Sequence, residues 1–144
     1  MNNKENTCCF TGHRVIPPDD IKRIEELTKI EIVNLINNGV SDFITGGASG
    51  YDTLCAFIIV ELKSVYPIKL HIALPCGNHA DKWQDADSVT YVSEFYHKGC
   101  MQKRNRYMVD NSQYCIAYCT KQSGGSFYTM KYALKNNSVV INIQ

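Results

Sequence analysis

The sequence predicts an α/β fold: one domain whose mainly parallel sheet is covered by helices on both faces. Three observations predict it. Apolar segments alternate along the whole chain between a period of two and a period near 3.6. Strand-like and helix-like segments follow one another in β-α-β-α order, which builds right-handed crossovers and a parallel sheet. The 144 residues suit a single domain, able to bury roughly 68–70% of the surface its unfolded chain exposes.

The elements follow in order. MNNKEN, residues 1–6, is polar and reads as a flexible lead-in without the apolar centre of a secretion signal. TCCFT is the first strand. The first helix spans PPDDIKRIEELTKIEIVNLINNG, with Ile21, Ile24, Leu27, Ile32, Leu35 and Ile36 at helical spacing. Pro17 and Pro18 suit its start, Asp19 and Asp20 its positive end, and Gly39 its stop. VSDFIT is the second strand and GGASG a turn. YDTLCAFIIVELK is read as a buried helix because Ser49 and Asp52 match a helix-start pattern and the run exceeds a usual strand. IKLHIALP is an interior strand, apolar on both faces except for His71. CGNHADKWQDAD is a polar connection and SVTYVS a short strand. MQKRNRYMVDNS is a helix, QYCIAYCT a strand, KQSGG a turn, SFYTMKYALKNN a helix and SVVINI the last strand.

Composition bounds the function. The chain is 44% hydrophobic and 20% charged, with a formal net charge of +1. That near-balance argues against nucleic acid as a partner, since neutralising several phosphates needs a basic excess or stripe. No stretch approaches the roughly 20 apolar residues of a membrane span. The seven cysteines are odd in number and form no CxxC pair, so they read as reduced, mostly buried thiols of a cytoplasmic protein rather than a disulfide framework or metal site.

In parallel α/β sheets ligands bind beyond the carboxyl ends of the strands. The first strand ends in Thr11, Gly12, His13 and Arg14. The second ends in Thr45, Gly46, Gly47, Ala48, Ser49 and Gly50. The fifth ends in Thr120, Ser123, Gly124, Gly125 and Ser126. Two of these are glycine clusters that lead into helices. Glycine there turns the backbone tightly and exposes N–H groups, and a helix N-terminus favours an anion. Arg14 supplies fixed donors for a phosphate or carboxylate. His13 suits a cap, a ligand contact or acid/base work. Asp52, in the first turn of its helix, suits a cap or an acceptor for ribose hydroxyls. Arg104 and Asn105 are placed at the opening of the helix before strand five, with Lys103 and Arg106 on its solvated face and Met108 and Val109 in the core. Trp83 suits either packing beside a base or hydrophobic anchoring. His71, His79 and His97 show no partner in the sequence. Glu94, Asp52 and Asp110 are the carboxylates expected near the ligand edge, and no pair suited to glycosidic hydrolysis stands out. GxSxG, GxxxxGK[ST] and HExxH do not occur.

CCFTGHR, FITGGASGYDTLCA, MQKRNRYMVDNS and GGSFYTMKYA together resemble the YspA/YpsA-like branch of the SLOG superfamily, which also holds the DprA/SMF and LOG types. The resemblance covers about Cys8 to Ile143. It implies a Rossmann-like fold with strand order 4-3-2-1-5-6 and a pocket formed by the loops after strands one, two and five. It also implies a nucleotide-derived ligand related to NAD or ADP-ribose. Carried over by position, the ligand loops are Gly12, His13 and Arg14; Gly46, Gly47, Gly50 and Asp52; Arg104 and Asn105; and Gly124, Gly125 and Ser126. The chain departs from the LOG type, whose catalytic glutamate follows a GGxGT turn: here Gly124-Gly125 is followed by Ser126, Phe127, Tyr128, Thr129, Met130 and Lys131, so that cleavage does not transfer. The segment after Trp83 is also shorter than is usual in the family, and Gln113 stands where an aspartate is common.

The resulting expectation is a cytoplasmic module that senses or sequesters a nucleotide-derived small molecule, with no cofactor and no metal, and a homo-oligomer is compatible with it. Two alternatives stay open. One is a hydrolase of an N-glycosidic or phosphate bond, with His13 and Asp52 as its catalytic candidates. The other is single-stranded nucleic-acid binding of the DprA type.

Overall fold

A computed structural model describes residues 3–77 and 83–144 of the chain. In order these form β1 (Thr7–Gly12), α1 (Ile21–Asn37), β2 (Asp42–Thr45), α2 (Tyr51–Leu62), β3 (Lys69–Leu74), β4 (Ser88–Tyr91), α3 (Cys100–Asp110), β5 (Tyr114–Tyr118), α4 (Gly125–Lys135) and β6 (Val139–Asn142). The strands make one sheet in the order β4-β3-β2-β1-β5-β6, and every neighbouring pair is parallel. This is the order that the family resemblance implies.

Alternation along the strands divides the core. Cys8 and Phe10 of β1, Phe43 of β2 and Leu70 and Ile72 of β3 face α1 and α2, where Ile24, Ile32, Tyr51 and Ile59 bury their side chains. Cys9, Ile44, Ala73 and Cys115 point the other way, onto Met108 and Val109 of α3 and Ala133 of α4. Each side chain pattern thus serves one helical layer. The run Leu54 to Val60 is helical because it seals the first layer on nearly every side: Cys55, Ala56, Ile58 and Ile59 are buried while Phe57 is exposed.

Helix starts differ from the sequence reading. A short 3-10 turn at Pro18–Asp20 precedes α1. Ser49 does not cap α2; its N-cap is Gly50, at φ 78°, with no side-chain cap bond. Asp52 reaches back instead, and its Oδ2 accepts from the Ala48 N–H at 3.3 Å. The N-terminal residues that are described are tied down. Lys4–Asn6 form a 3-10 turn, the Asn6 carbonyl accepts from Ser41, and the Lys4 carbonyl accepts from Gln113.

His71 is not without partners. Its Nε2 lies 2.7 Å from Asp42 Oδ1 and its Nδ1 2.6 Å from Ser88 Oγ, linking β2, β3 and β4. The histidine and neighbouring hydrogen bonds hold the Asp42 carboxyl below the usual carboxylate range against its own burial. His97 likewise meets Ser93 Oγ at 3.1 Å. His79 lies outside the described residues. All seven thiols are unpaired, and six of them are buried.

Candidate functional site

Strand order reverses at β1. The chain leaves β1 through α1 toward β2, whereas β5 lies on its other flank. The carboxyl ends of β1 and β5 therefore open the crevice where such sheets take ligands. His13, just past β1, bridges that gap. Its Nε2 accepts the Thr120 backbone N–H at 2.9 Å, and its ring stands edge-on to Tyr118 at 5.2 Å between centroids. A backbone N–H can only donate, so Nε2 carries the lone pair and the neutral ring keeps its proton on Nδ1. Partial burial, with Lys121 nearby, lowers the His13 pKa from its ordinary 6.5 and favours that neutral form.

The crevice encloses about 440 Å³, within the roughly 300–1,000 Å³ of small-molecule sites. Gly12, His13 and Arg14 form one wall. Ala48 and Asp52 close the side toward α2. Met101, Gln102, Arg104 and Asn105 of α3 cross one face, and Lys121 and Ser123–Ser126 complete the rim. Three helices thus bring their N-terminal ends or first turns to one cavity. The first N–H groups of a helix have no intrahelical acceptor. At α4 the N-cap is Gly124, at φ 92°, and no side chain caps it. Those amides remain available to an anion.

Arg104 is 4% and Asp52 7% exposed. The Arg104 Nη1 donates to the Gly46 carbonyl and lies 3.4 Å from that of Ala73; Nε donates to Asn105 Oδ1 at 2.8 Å. The guanidinium ties the ends of β2 and β3 to α3 and still lines the cavity. A Cβ on Gly46 would lie 2.7 Å from both Arg104 Nη1 and Asp52 Oδ2, so a side chain there would displace the guanidinium or the carboxylate. Burial pushes the Asp52 pKa from 3.8 up to about 6, although Arg104, Arg14 and the Ala48 and Gly46 backbone favour its charge. Burial also lowers the Arg104 pKa against the pull of Asp52. Both shifts run toward the neutral forms: desolvation exceeds what mutual attraction returns. The fold holds two charges there at a cost to its own stability.

The structure brings Gly12, His13, Arg14, Asp52, Arg104, Asn105, Gly124, Gly125 and Ser126 to this cavity. Gly46 and Gly47 line a smaller adjoining cleft of about 190 Å³ with Arg14 and Arg104. Gly50 lines neither; a Cβ there would fall on the Arg14 carbonyl, so it serves close packing of the two loops. Arg104 and Asn105 do not open α3, which starts at Cys100 and places them in its second turn. Asp110 is at the far end of α3, opposite the ligand edge, where it accepts from the Tyr132 hydroxyl at 2.8 Å. Trp83 does not line the crevice; it packs on the α1/α2 core beside Thr53, Ala56 and Leu70. Lys121, Gln102 and Met101 were not singled out by the sequence. Lys121 had a usable signal, a cation directly between strand five and a glycine turn.

A family model described as the YspA SLOG family matches residues 17–142. A UPF0398 protein of Oceanobacillus iheyensis is 23% identical over 120 residues, which cover 74% of this chain and 65% of that protein. The SPbeta prophage-derived protein YoqJ of Bacillus subtilis is 30% identical over 118 residues, 65% of this chain and 69% of that protein. The chain thus spans about two thirds of the length of these relatives, and 44% of a Listeria monocytogenes UPF0398 protein. In fold it is similar to DNA processing protein A of Streptococcus pneumoniae, with TM-score 0.75, 18% identity, and coverage of 98% of this chain and 51% of that one. It is also similar to DNA processing protein A of Helicobacter pylori, whose structure is described for its single-stranded DNA binding mode. There the TM-score is 0.70 at 18% identity, covering 98% of this chain and 66% of that one.

Proposed function

The chain belongs to the YspA SLOG family, and from that premise we propose that its crevice binds a nucleotide-derived small molecule of the NAD or ADP-ribose kind, as a sensing or sequestering module of the cytoplasm. One observation carries this reading. A single cavity at the switch point is lined by an uncapped helix N-terminus and by Arg14, Arg104 and Lys121, against one carboxylate among the described residues, Asp52. Phosphate oxygens suit the α4 amides and Lys121, with Arg14 as a second clamp. Asp52, deep in the same cavity, suits a ribose hydroxyl, which donates to it without adding charge. Neutral His13 offers a hydrogen-bonding group that does not compete for the anion.

The test is thermal unfolding against AMP, ADP-ribose and NAD. A ligand at about a hundred times its Kd stabilises by about 2.7 kcal/mol. No shift with any member of the panel refutes the reading. A hydrolytic role is the second reading, favoured by one observation: a buried carboxyl, Asp52, lines the cavity, and burial pushes its pKa up to about 6, near the operating range of an acid/base group. Release of nicotinamide, ribose phosphate or phosphate during the same incubations, abolished by Asp52→Asn, would support it. Intact ligand after prolonged incubation would exclude it for the panel.

A further inference from the structure

The net charge of +1 averages two halves of opposite sign. Residues 88–144 hold seven basic and two acidic residues, whereas residues 1–87 hold eight basic and twelve acidic. The fold carries part of this contrast onto opposite faces of the sheet. On the two faces of the sheet, α1 and α2 hold three basic and five acidic residues, whereas α3 and α4 hold five basic residues and one acid, with Arg104 turned into the crevice. Lys98, Lys103, Lys131 and Lys135 are exposed and Arg106 is half-buried. Aromatic side chains lie among these cations. Phe95 and Tyr96, in the loop before α3, are 74% and 76% exposed, and Tyr128 of α4 is 45% exposed. The Lys131 ammonium lies 5.4 Å from the centroid of the Phe127 ring. Arg106 acts on the Tyr132 hydroxyl, which spans from α4 to Asp110 of α3. Asp110, one of the two acids of this half, is thereby engaged; Glu94, the other, is exposed beside Phe95.

We infer that the α3/α4 face, with the Phe95-Tyr96 loop at its upper end, is a binding surface for single-stranded nucleic acid. Interleaved cations and exposed aromatic rings match a chain that carries a phosphate and a flat base in each unit. Duplex offers phosphates and no free base faces, so it does not use the rings. An anionic membrane would use the lysines and the apolar rings but has no need of a face that runs the length of two helices. The inference goes beyond the small-molecule reading and stands on residues outside the crevice, so either can fail alone. It also reverses the expectation drawn from total charge, because a partner meets the local field and not the sum.

Fluorescence anisotropy tests it, with labelled single-stranded DNA of about 4 to 16 nucleotides. Binding should weaken with salt at a log–log slope of about −0.7 per phosphate neutralised. The triple variant Lys103→Glu, Arg106→Glu, Lys131→Glu should flatten that slope by about 2. Phe95→Ala and Tyr96→Ala should each weaken binding about tenfold at constant slope, the signature of stacking rather than charge. Lys22→Glu with Lys29→Glu, on the opposite face, should change nothing. Unchanged melting temperatures confirm that the surface variants fold, and unchanged thermal response to nucleotides keeps the crevice separate. Three results overturn the inference: no binding of single strands at low salt, equal loss with the opposite-face variant, or capture by phosphatidylserine vesicles but not by oligonucleotides.

Discussion

Replacing Asp52 by asparagine should remove a specific pH dependence of stability. The carboxyl is buried, and its pKa in the fold is about 6 against an ordinary value of 3.8. Between those two values the folded chain holds a proton that the unfolded chain has released. Stability from this group is therefore greatest below pH 4, falls as pH rises through the window, and levels off above 6. A difference of about two units, at 1.36 kcal/mol per unit, makes ionised Asp52 cost about 3 kcal/mol. Asparagine is nearly isosteric, keeps an acceptor for the Ala48 N–H and does not titrate. Asp42 and Asp87, whose pKa values are lowered and whose linkage has the opposite sign, are common to both proteins and cancel in the comparison. Urea unfolding from pH 4 to pH 7.5 gives the measurement. The stability of the native chain minus that of Asp52→Asn should fall by about 2–3 kcal/mol across this range. Parallel curves, within about 0.5 kcal/mol, would mean that Asp52 is solvated in the fold and that the cavity floor is not the desolvated site described above.

Other expectations follow from packing. Gly50→Ala should cost more than about 2 kcal/mol, because φ is 78° and the added Cβ meets the Arg14 carbonyl; a midpoint shift in urea below that would refute the close approach. Tyr51→Phe should cost about 1–3 kcal/mol by leaving the Thr28 hydroxyl, 2.8 Å away, buried without a partner. The double variant with Thr28→Val should cost less than the two single changes added together. Arg14 is exposed, so Arg14→Ala should leave the melting temperature within about 2 °C of the native value while weakening nucleotide binding at least tenfold.

The sequence was legible where one element carries its own signal. Ile24 and Ile32 recur on one face of α1, and Cys8 and Cys9 of β1 point to opposite layers, so period alone marks helix and strand. The glycine turns at Gly46-Gly47 and Gly124-Gly125 marked strand ends for the same local reason. What depends on register was not legible. Asp42 and Ser88 lie 29 and 17 positions from His71 and meet it only because β2, β3 and β4 stand side by side. The Ser49-Asp52 pattern pointed to a serine cap, yet a left-handed Gly50 shapes the start of α2. The sequence puts Asp110 near the ligand edge, but α3 runs antiparallel to the strands and carries it to the opposite one. Total charge concealed the basic excess of α3 and α4 because acids elsewhere in the chain offset it.

The most direct test of the account is a crystal of the chain soaked with ADP-ribose. It should show a phosphate group at the α4 N-terminus, within hydrogen-bonding distance of the Gly125 and Ser126 amides and facing Arg14, with a ribose hydroxyl directed at Asp52. An ordered ligand on another face, or a bound ligand whose phosphates avoid the β1/β5 crevice, would contradict it.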